Sequence, residues 1–276
     1  MVIQTSVDLA ALTQRVRRHI VRMVYAAKSG HIGGSMSATD ILAVLYGRIL
    51  QHDPKRPDWP ERDRFIMSKG HCTPVQYATL AEFGYIPTAE LTTFRQKGTR
   101  LQGHSILGKP LGVENSAGSL GMGLSFGIGI RMGMRLRGID SHVYVLMGDG
   151  EQQEGQVWEA AMSASHHNLD RLVAIIDRNR IQNDDFTDVT MRSAPLDEKY
   201  RAFGWEVRSG IDGHDLAAIE EALAWARDVR GKPACVIFET TKGKGVSFME
   251  NSPAFHGAPP SDEQFVLAMQ ELGEDQ

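Results

Sequence analysis

The segment from residue 142 to residue 179 constrains the fold more than any other part of the sequence. Residues 142–147 and 172–176 are two short apolar runs rich in β-branched side chains, which is typical of buried strands. Between them, residues 152–167 carry apolar side chains at helical spacing, and Glu151 and Glu154 are expected in the first turn, where the helix dipole favours acidic groups. The pattern predicts a βαβ unit with two parallel strands.

Polar residues follow both predicted strands. Gly148, Asp149 and Gly150 come after the first strand, and Asn179 follows the second, thirty positions after Asp149. Ligands of open parallel sheets bind at the carboxyl ends of strands, so Asp149 and Asn179 should lie side by side. Mg²⁺ or Ca²⁺ would suit an oxygen-rich site made of a carboxylate, an amide oxygen, a loop carbonyl and two phosphate oxygens. The glycines would let phosphate approach the backbone. This predicts a metal-bound diphosphate site, although Gly-Asp-Gly alone is also common in ordinary turns.

The remaining pattern predicts an α/β fold with a mostly parallel sheet and helices on both faces. Helices are expected at about residues 7–27, 37–50 and 214–229, and strands at 64–68, 205–209 and 234–238.

Residues 119–134 have a helical pattern that contains glycine at positions 121, 123, 127, 129 and 133, each costing roughly 1 kcal/mol relative to alanine. We interpret Gly118 and the turn after it as a source of backbone amides for the diphosphate at the amino end of a helix. The later glycines are interpreted as sites of close helix packing. Tight packing alone is the alternative explanation for the whole set.

Composition excludes several classes of function. The 276 residues are 42% hydrophobic, with a net charge of −4 and a pI near 6.2, which allows a large core and argues against nucleic-acid binding. We expect no secretory leader, and the sequence contains no apolar run near the ~20 residues of a membrane span. Cys72 and Cys235 are far apart, so we expect free thiols and a cytoplasmic location.

Four of the ten histidines stand beside glycine in segments with loop character: His31, His71, His104 and His256. Histidine donates or accepts protons near neutral pH, which suits binding of sugar hydroxyls and phosphates and proton transfer at an alkoxide. Any one of them could be a solvated loop residue, so their grouping is a hypothesis. Residues 240–245 could close over an anion, with Lys244 as a candidate, although a solvated basic loop fits equally well. The other histidines are interpreted as structural or surface residues.

Taken together, the motifs resemble the thiamine diphosphate fingerprint, and more narrowly the diphosphate-binding domain of transketolases. The fingerprint segments are 148–150, 154–155, 159–160 and 179–181, and further matching segments are 29–34, 68–71, 103–104, 118–121 and 256–258. The resemblance implies one diphosphate-binding module over residues 1–276. Its parts would be N-terminal helices and a loop (1–60), an α/β core (61–250) and a C-terminal tail (251–276).

The resemblance also implies cofactors and residue roles. Thiamine diphosphate and Mg²⁺ are the expected cofactors, with Ca²⁺ as an alternative metal, and Asp149, Asn179 and the Ile181 carbonyl are the expected metal ligands. The implied cofactor contacts are His71, Gly118, Leu120, Gly148, Gly150, Glu154, Asn179 and His256. His71 and His256 would lie near the diphosphate and the reacting carbon. His31 and His104 would hold substrate oxygens.

The implied activity is transfer of a two-carbon ketol unit from a ketose, or its phosphate, to an aldose, or its phosphate. In transketolases the glutamate that activates the cofactor lies on a pyrimidine-binding domain, and this sequence contains no such domain. We therefore expect a partner chain carrying the pyrimidine-binding and C-terminal domains, in an α2β2 assembly, with residues 261–276 as a natural terminus. A domain excised from a longer enzyme is the alternative. Glu154, and less strongly Glu159, is expected to reach the subunit interface.

Two departures put the standard pentose phosphate substrates in doubt: Gln76 is an unusual polar residue in its expected helix, and the loop 105–110 differs from the common one. The α-chain of a 2-oxo-acid dehydrogenase is an alternative that the Ser-Gly-His, Lys-Gly-His and Gln-Gly-His motifs disfavour. A noncatalytic regulatory subunit is disfavoured by the intact Asp149 and Asn179. A nicotinamide-binding domain fits less well, because no Gly-x-Gly-x-x-Gly opens an amino-terminal βαβ unit.

Overall fold

The computed structural model describes residues 7–274, and a five-stranded sheet lies at its centre. The strands are β1 (Arg64–Met67), β2 (Val143–Gly148), β3 (Leu172–Arg178), β4 (Glu206–Asp212) and β5 (Ala234–Glu239). Their order across the sheet is β1-β2-β3-β5-β4, and every neighbouring pair is parallel. The predicted α/β class and the predicted βαβ unit are therefore confirmed.

Helices cover both faces of the sheet. They are α1 (Leu9–Ala27), α2 (Gly33–Ser37), α3 (Thr39–Val44), α4 (Thr73–Glu82), α5 (Met122–Leu136), α6 (Gly155–His166), α7 (Thr187–Thr190), α8 (Leu196–Ala202), α9 (Leu216–Asp228) and α10 (Asp262–Glu271). Within residues 7–274, none of the helices combines the length and the apolar character needed to cross a membrane.

The alternation of side chains along the central strands divides the core into two layers. Tyr144 and Leu146 of β2 pack with α1, α3, α4 and α9 on one face, while Val145 and Met147 pack with α5, α6 and α8 on the other. Both faces of β2 are therefore buried, which explains why its sequence is a continuous apolar run.

Two predicted helices differ from the structure. The helix expected at residues 37–50 is divided into α2, α3 and a π-helical turn at Leu45–Ile49. The helix expected from residue 152 begins at Gly155, because Gly150–Gln153 forms a 3₁₀ turn and Glu154 is the N-cap. Glu151 and Glu154 therefore lie before the helix and not in its first turn.

The predicted C-terminal tail contains a packed helix, so that part of the prediction is wrong. Ser261 and Gln264 form a capping box at the start of α10. Ala268, Met269 and Leu272 are buried in the same core layer as α1. These apolar residues recur at helical spacing, a signal that the acidic composition of the segment had masked.

Candidate active site

A cavity of about 280 Å³ opens at the carboxyl ends of the central strands. Every residue to which the sequence analysis assigned a catalytic, cofactor or metal role lines it: His31, His71, His104, Gly118, Leu120, Gly148, Asp149, Gly150, Glu154, Asn179, Ile181 and His256. The structure thus brings the candidate residues together in one place. Their individual roles stay predictions.

The candidate metal-binding corner forms where β2 and β3 end side by side. Gly148 pairs with Asp177 in the parallel ladder, so Asp149 and Asn179 follow adjacent strand ends. The amide of Arg180, next to Asn179, donates to Asp149 Oδ2 at 2.9 Å. Ile181 N donates to Asn179 Oδ1 at 3.2 Å. The backbone segment that carries Asn179 therefore also holds the Asp149 carboxylate in place.

The chemistry of this corner fits a hard divalent cation. Burial, followed by the charge of Asp177, raises the pKa of Asp149 to about 6. A bound cation would reverse that effect by favouring the ionised carboxylate. Residues 7–274 contain no cluster of three or more His, Cys, Asp or Glu side chains able to hold a metal ion. A metal here would depend on the mixed oxygen set of Asp149, Asn179 and Ile181, which is the kind of set that Mg²⁺ accepts.

A buried ion pair between Lys69 and Asp177 contacts the Asn179 side chain. Lys69 and Asp177 are 2% and 0% exposed, and Lys69 Nζ contacts Asp177 Oδ2. The same carboxylate oxygen accepts hydrogen bonds from Ser37 Oγ at 2.6 Å and from Asn179 Nδ2 at 3.2 Å. Burial alone would raise the pKa of Asp177, but the charge of Lys69 and hydrogen bonds from Lys69, Ser37 and Thr240 hold it below its usual value. The Asn179 amide is consequently fixed at both ends.

Glu151 connects the two glycine turns of the site, a role that the sequence analysis missed. It is 3% exposed, and its carboxylate accepts from Gly121 N at 2.9 Å and from Gly148 N at 3.0 Å and contacts Ser68 Oγ. Gly123 N also donates to Ser68 Oγ, at 3.1 Å. The amides of Gly121 and Gly123 at the start of α5 are therefore already bonded within the protein, which removes these two from the predicted amide contacts with diphosphate.

The glycines of α5 divide into two groups. A Cβ on Gly123 would clash with Ser68, and one on Gly127 would lie 2.6 Å from Val145 Cγ2, so both allow the helix to approach the sheet. A Cβ on Gly129 or Gly133 would meet no atom of the described chain within 4 Å. The prediction of close packing is therefore confirmed for the first two, whereas the last two lie on the side of α5 that faces away from the sheet and have no packing partner among residues 7–274.

The four candidate histidines form one cluster. The His31 ring lies 5.0 Å from that of His71, 5.4 Å from that of His256 and 6.2 Å from that of His104, and the His71 and His256 rings are stacked at 5.3 Å.

The cluster is electrically neutral near pH 7. Burial and Arg95 lower the pKa of His31 to about 4, and burial and Lys242 lower that of His256 to about 3. The pKa of His71 is also well below its usual value, chiefly because of burial. His31 Nδ1 is buried and has no hydrogen-bond partner within residues 7–274, which is uncommon for a buried polar atom.

Lys242, and not the candidate Lys244, enters the cavity. Lys242 Nζ donates to the Ile181 carbonyl at 2.9 Å and to His256 Nδ1 at 2.6 Å. Burial lowers the pKa of Lys242 to about 8. Lys244 lies outside this cavity and pairs with Glu250 at 3.6 Å. The sequence showed two lysines in one loop but not which one turns inward.

Other candidates take peripheral positions. Gln76 is 1% exposed in α4, does not line the cavity, and has no partner in the described chain for either amide atom. Residues 105–110 also lie outside the cavity lining. Glu154 is exposed at the cavity in the N-cap position of α6, without a capping hydrogen bond from its side chain, and Glu159 is exposed on the same helix.

Comparison with known proteins decides the family. The family model described as transketolase, thiamine diphosphate binding domain, matches residues 9–276. The chain belongs to the transketolase family.

Two relatives that match over nearly their whole length are named as transketolase subunits. The 6-deoxy-6-sulfo-D-fructose transketolase subunit SqwG of Clostridium sp. (strain MSTE9) is 39% identical over 269 residues, which cover 98% of each chain. An apulose-4-phosphate transketolase subunit of Phocaeicola vulgatus is 41% identical over 262 residues, 95% of this chain and 92% of that one. The transketolase from Leishmania mexicana has a TM-score of 0.92 at 33% identity, and the match covers 98% of this chain but 42% of that one.

These comparisons confirm the predicted resemblance, the fold class and thiamine diphosphate as the cofactor of the domain. The protein is a transferase, because it belongs to the transketolase family. It spans less than half of the longer Leishmania mexicana transketolase chain. The description of the relatives as subunits agrees with the predicted need for a partner chain.

Proposed function

We propose that this transketolase subunit, together with a partner chain, transfers a two-carbon ketol unit from a ketose or ketose phosphate to an aldose or aldose phosphate. The observation that carries the proposal is the single cavity in which Asp149, Asn179, Ile181 and four neutral histidines meet. Thiamine diphosphate, when bound, supplies the nucleophilic carbon for this transfer. The side chains of this chain bind it, orient the sugar and move protons.

Asp149, Asn179 and the Ile181 carbonyl would hold Mg²⁺, with Ca²⁺ as the alternative metal, and the metal would anchor the diphosphate. Two features of the cavity favour phosphate. A Cβ on Gly118 would meet nothing within 4 Å, so the backbone there is open to a ligand. The buried ammonium group of Lys242 supplies positive charge at the cavity wall to offset the charge of phosphate.

The histidines would handle the protons of the sugar. His71 and His256 would lie near the diphosphate and the reacting carbon, and His31 and His104 would hold substrate oxygens. Because their pKa values are lowered, the rings are neutral at pH 7. A neutral imidazole has one donor and one acceptor nitrogen, so it can accept a proton from a hydroxyl and return it to an alkoxide.

The partner would carry the C-terminal domain and the pyrimidine-binding domain with its activating glutamate. The two chains would form an α2β2 heterotetramer in which Glu154 lies at the interface.

The different sugars in the names of the two subunit relatives, a sulfo-fructose and apulose 4-phosphate, support a ketose as the class of donor. Free, buried Cys72 and Cys235 support a reducing, cytoplasmic compartment.

Replacement of Asp149 by alanine tests the site. Thiamine diphosphate binding would be measured by calorimetry on the assembled complex, with Mg²⁺, with Ca²⁺ and with EDTA. The wild-type complex should bind the cofactor only with a divalent metal, and Asp149→Ala should abolish this metal-dependent binding. Asp188→Ala is the control, because Asp188 is exposed and pairs only loosely with Arg192, at 3.7 Å. Normal affinity in Asp149→Ala would show that the metal site is assigned wrongly.

A further inference from the structure

The position of Lys242 in the cavity depends on a short turn after β5. Lys244 N donates to Thr241 O at 3.2 Å, which closes a turn with Lys242 as its second residue. The Lys242 side chain then reaches the Ile181 carbonyl and His256. Any group that holds the two ends of this turn therefore also sets where the ammonium group lies.

A buried charged cluster lies behind this turn, outside the cofactor cavity. It consists of Arg17 from α1, Asp40 from α3 and His214 from the loop between β4 and α9. Asp40 Oδ2 accepts from Arg17 Nη2 at 2.6 Å and lies 2.6 Å from His214 Nδ1. Arg17 and Asp40 are each 5% exposed. The proposed function uses none of these three residues.

The cluster bonds to both ends of the turn. Thr241 N donates to His214 Nε2 at 2.8 Å, and Arg17 Nε donates to the Lys244 carbonyl at 3.0 Å. Because His214 Nε2 accepts a hydrogen bond from the Thr241 amide, Nδ1 carries the ring proton and donates a hydrogen bond to Asp40. One carboxylate therefore selects the tautomer of His214 and orients Arg17. These are the two side chains that hold the turn.

We propose that Asp40 is a positioning residue for Lys242. Through His214 and Arg17, its carboxylate holds the turn so that the Lys242 ammonium group lies beside the Ile181 carbonyl, where the diphosphate would bind. That thiamine diphosphate is the ligand beside Lys242 rests on the proposed function. That Asp40 fixes the conformation of the turn rests only on the hydrogen bonds described above.

Other contacts keep the loop folded without Asp40. Gly243 N donates to the Gly33 carbonyl at 3.0 Å, and Asn251 N donates to the Lys242 carbonyl at 2.9 Å. Loss of the Asp40 carboxylate should therefore displace the turn but leave the loop in place. We expect a partial loss of affinity for thiamine diphosphate, about tenfold, which corresponds to one weakened hydrogen bond to a charged group.

The chain offers a matched control cluster. Asp63 is buried, accepts from Arg227 Nη1 at 2.9 Å and from the backbone of His142 at 2.7 Å, and precedes β1 at the opposite edge of the sheet. Asp63→Asn and Asp40→Asn both neutralise a buried carboxylate that is paired with arginine. Only Asp40 is connected to the turn. A general loss of stability would therefore appear in both variants, whereas displacement of Lys242 would appear only in Asp40→Asn.

The first experiment is a double-mutant cycle on the assembled complex, with Mg²⁺-dependent thiamine diphosphate binding as the readout. Asp40→Asn should weaken binding about tenfold, while Asp63→Asn should leave it unchanged. Lys242→Met should weaken binding, and adding Asp40→Asn to it should cause no further loss, because Asp40 acts through Lys242. Additive losses, or equal losses in Asp40→Asn and Asp63→Asn, would overturn the proposal.

The second experiment needs no ligand. Hydrogen exchange of the peptide containing residues 240–245 would be followed by mass spectrometry in the same complexes without cofactor. Asp40→Asn should accelerate exchange at Thr241, whose amide loses its fixed acceptor, and Asp63→Asn should not. Unchanged protection of the Thr241 amide from exchange in Asp40→Asn would refute the claim that Asp40 fixes the turn. If the wild-type complex binds no thiamine diphosphate, the proposed function fails, and the exchange result still decides the role of Asp40.

Discussion

Replacement of Lys69 by methionine would leave the Asp177 carboxylate in the protein interior without its cation. Methionine keeps the length of the side chain but removes the charge and the hydrogen bond of 3.0 Å to the Gly34 carbonyl. Breaking a buried ion pair by removing one partner costs about 3–5 kcal/mol. Ser37 and Asn179 would still donate to Asp177, so we expect a loss near the lower limit, about 3 kcal/mol in the free energy of unfolding.

The pH dependence of this loss has a definite sign. In the wild-type protein the pKa of Asp177 is lowered despite burial, because Lys69 and the hydrogen bonds favour the ionised form. Its contribution to stability is therefore present above the unfolded pKa and disappears as the pH falls through the folded pKa. Without Lys69, burial should raise the folded pKa of Asp177 above the unfolded value. The destabilisation should then be greatest at neutral pH and shrink on acidification.

Urea unfolding of Lys69→Met, Asp177→Asn and the double variant, at pH 7 and at mildly acid pH, would measure both effects. The double variant should be more stable than the sum of the single losses predicts, because it leaves neither charge unpaired, with a coupling energy of about 1–3 kcal/mol. Additive losses, or a Lys69→Met penalty that does not change with pH, would refute the reasoning.

Two further predictions concern α5 and the histidine cluster. Gly127→Ala should destabilise the chain by about 1–3 kcal/mol in thermal or urea unfolding, because its Cβ would press against Val145, whereas Gly133→Ala should be neutral or stabilise by up to about 1 kcal/mol in this chain without its partner. Equal effects would contradict the assigned packing. The NMR signals of the His31 ring should not titrate between pH 8 and pH 5, because its pKa is about 4; titration near pH 6.5 would contradict a buried, neutral ring.

Local sequence patterns predicted the elements that hold the metal corner. Apolar runs ended by Gly148-Asp149-Gly150 and by Asn179 identified the two strands, and parallel pairing then placed the two polar ends at one edge of the sheet. Adjacent glycines marked the loops that carry the four histidines, and the roles of these histidines came from the family resemblance. Their convergence depends on contacts between segments far apart in the chain.

The sequence alone thus determined the α/β class, the parallel strands and the adjacency of Asp149 and Asn179, because these follow from side-chain periodicity and from the geometry of strand ends. The tertiary structure decided that Lys242 turns inward while Lys244 faces Glu250, and that Glu151 is buried between two glycine turns. It also decided that Asp40 and His214 meet, although 174 positions separate them. Such side-chain directions and long-range hydrogen bonds arise only when the whole chain packs, so no local pattern encodes them.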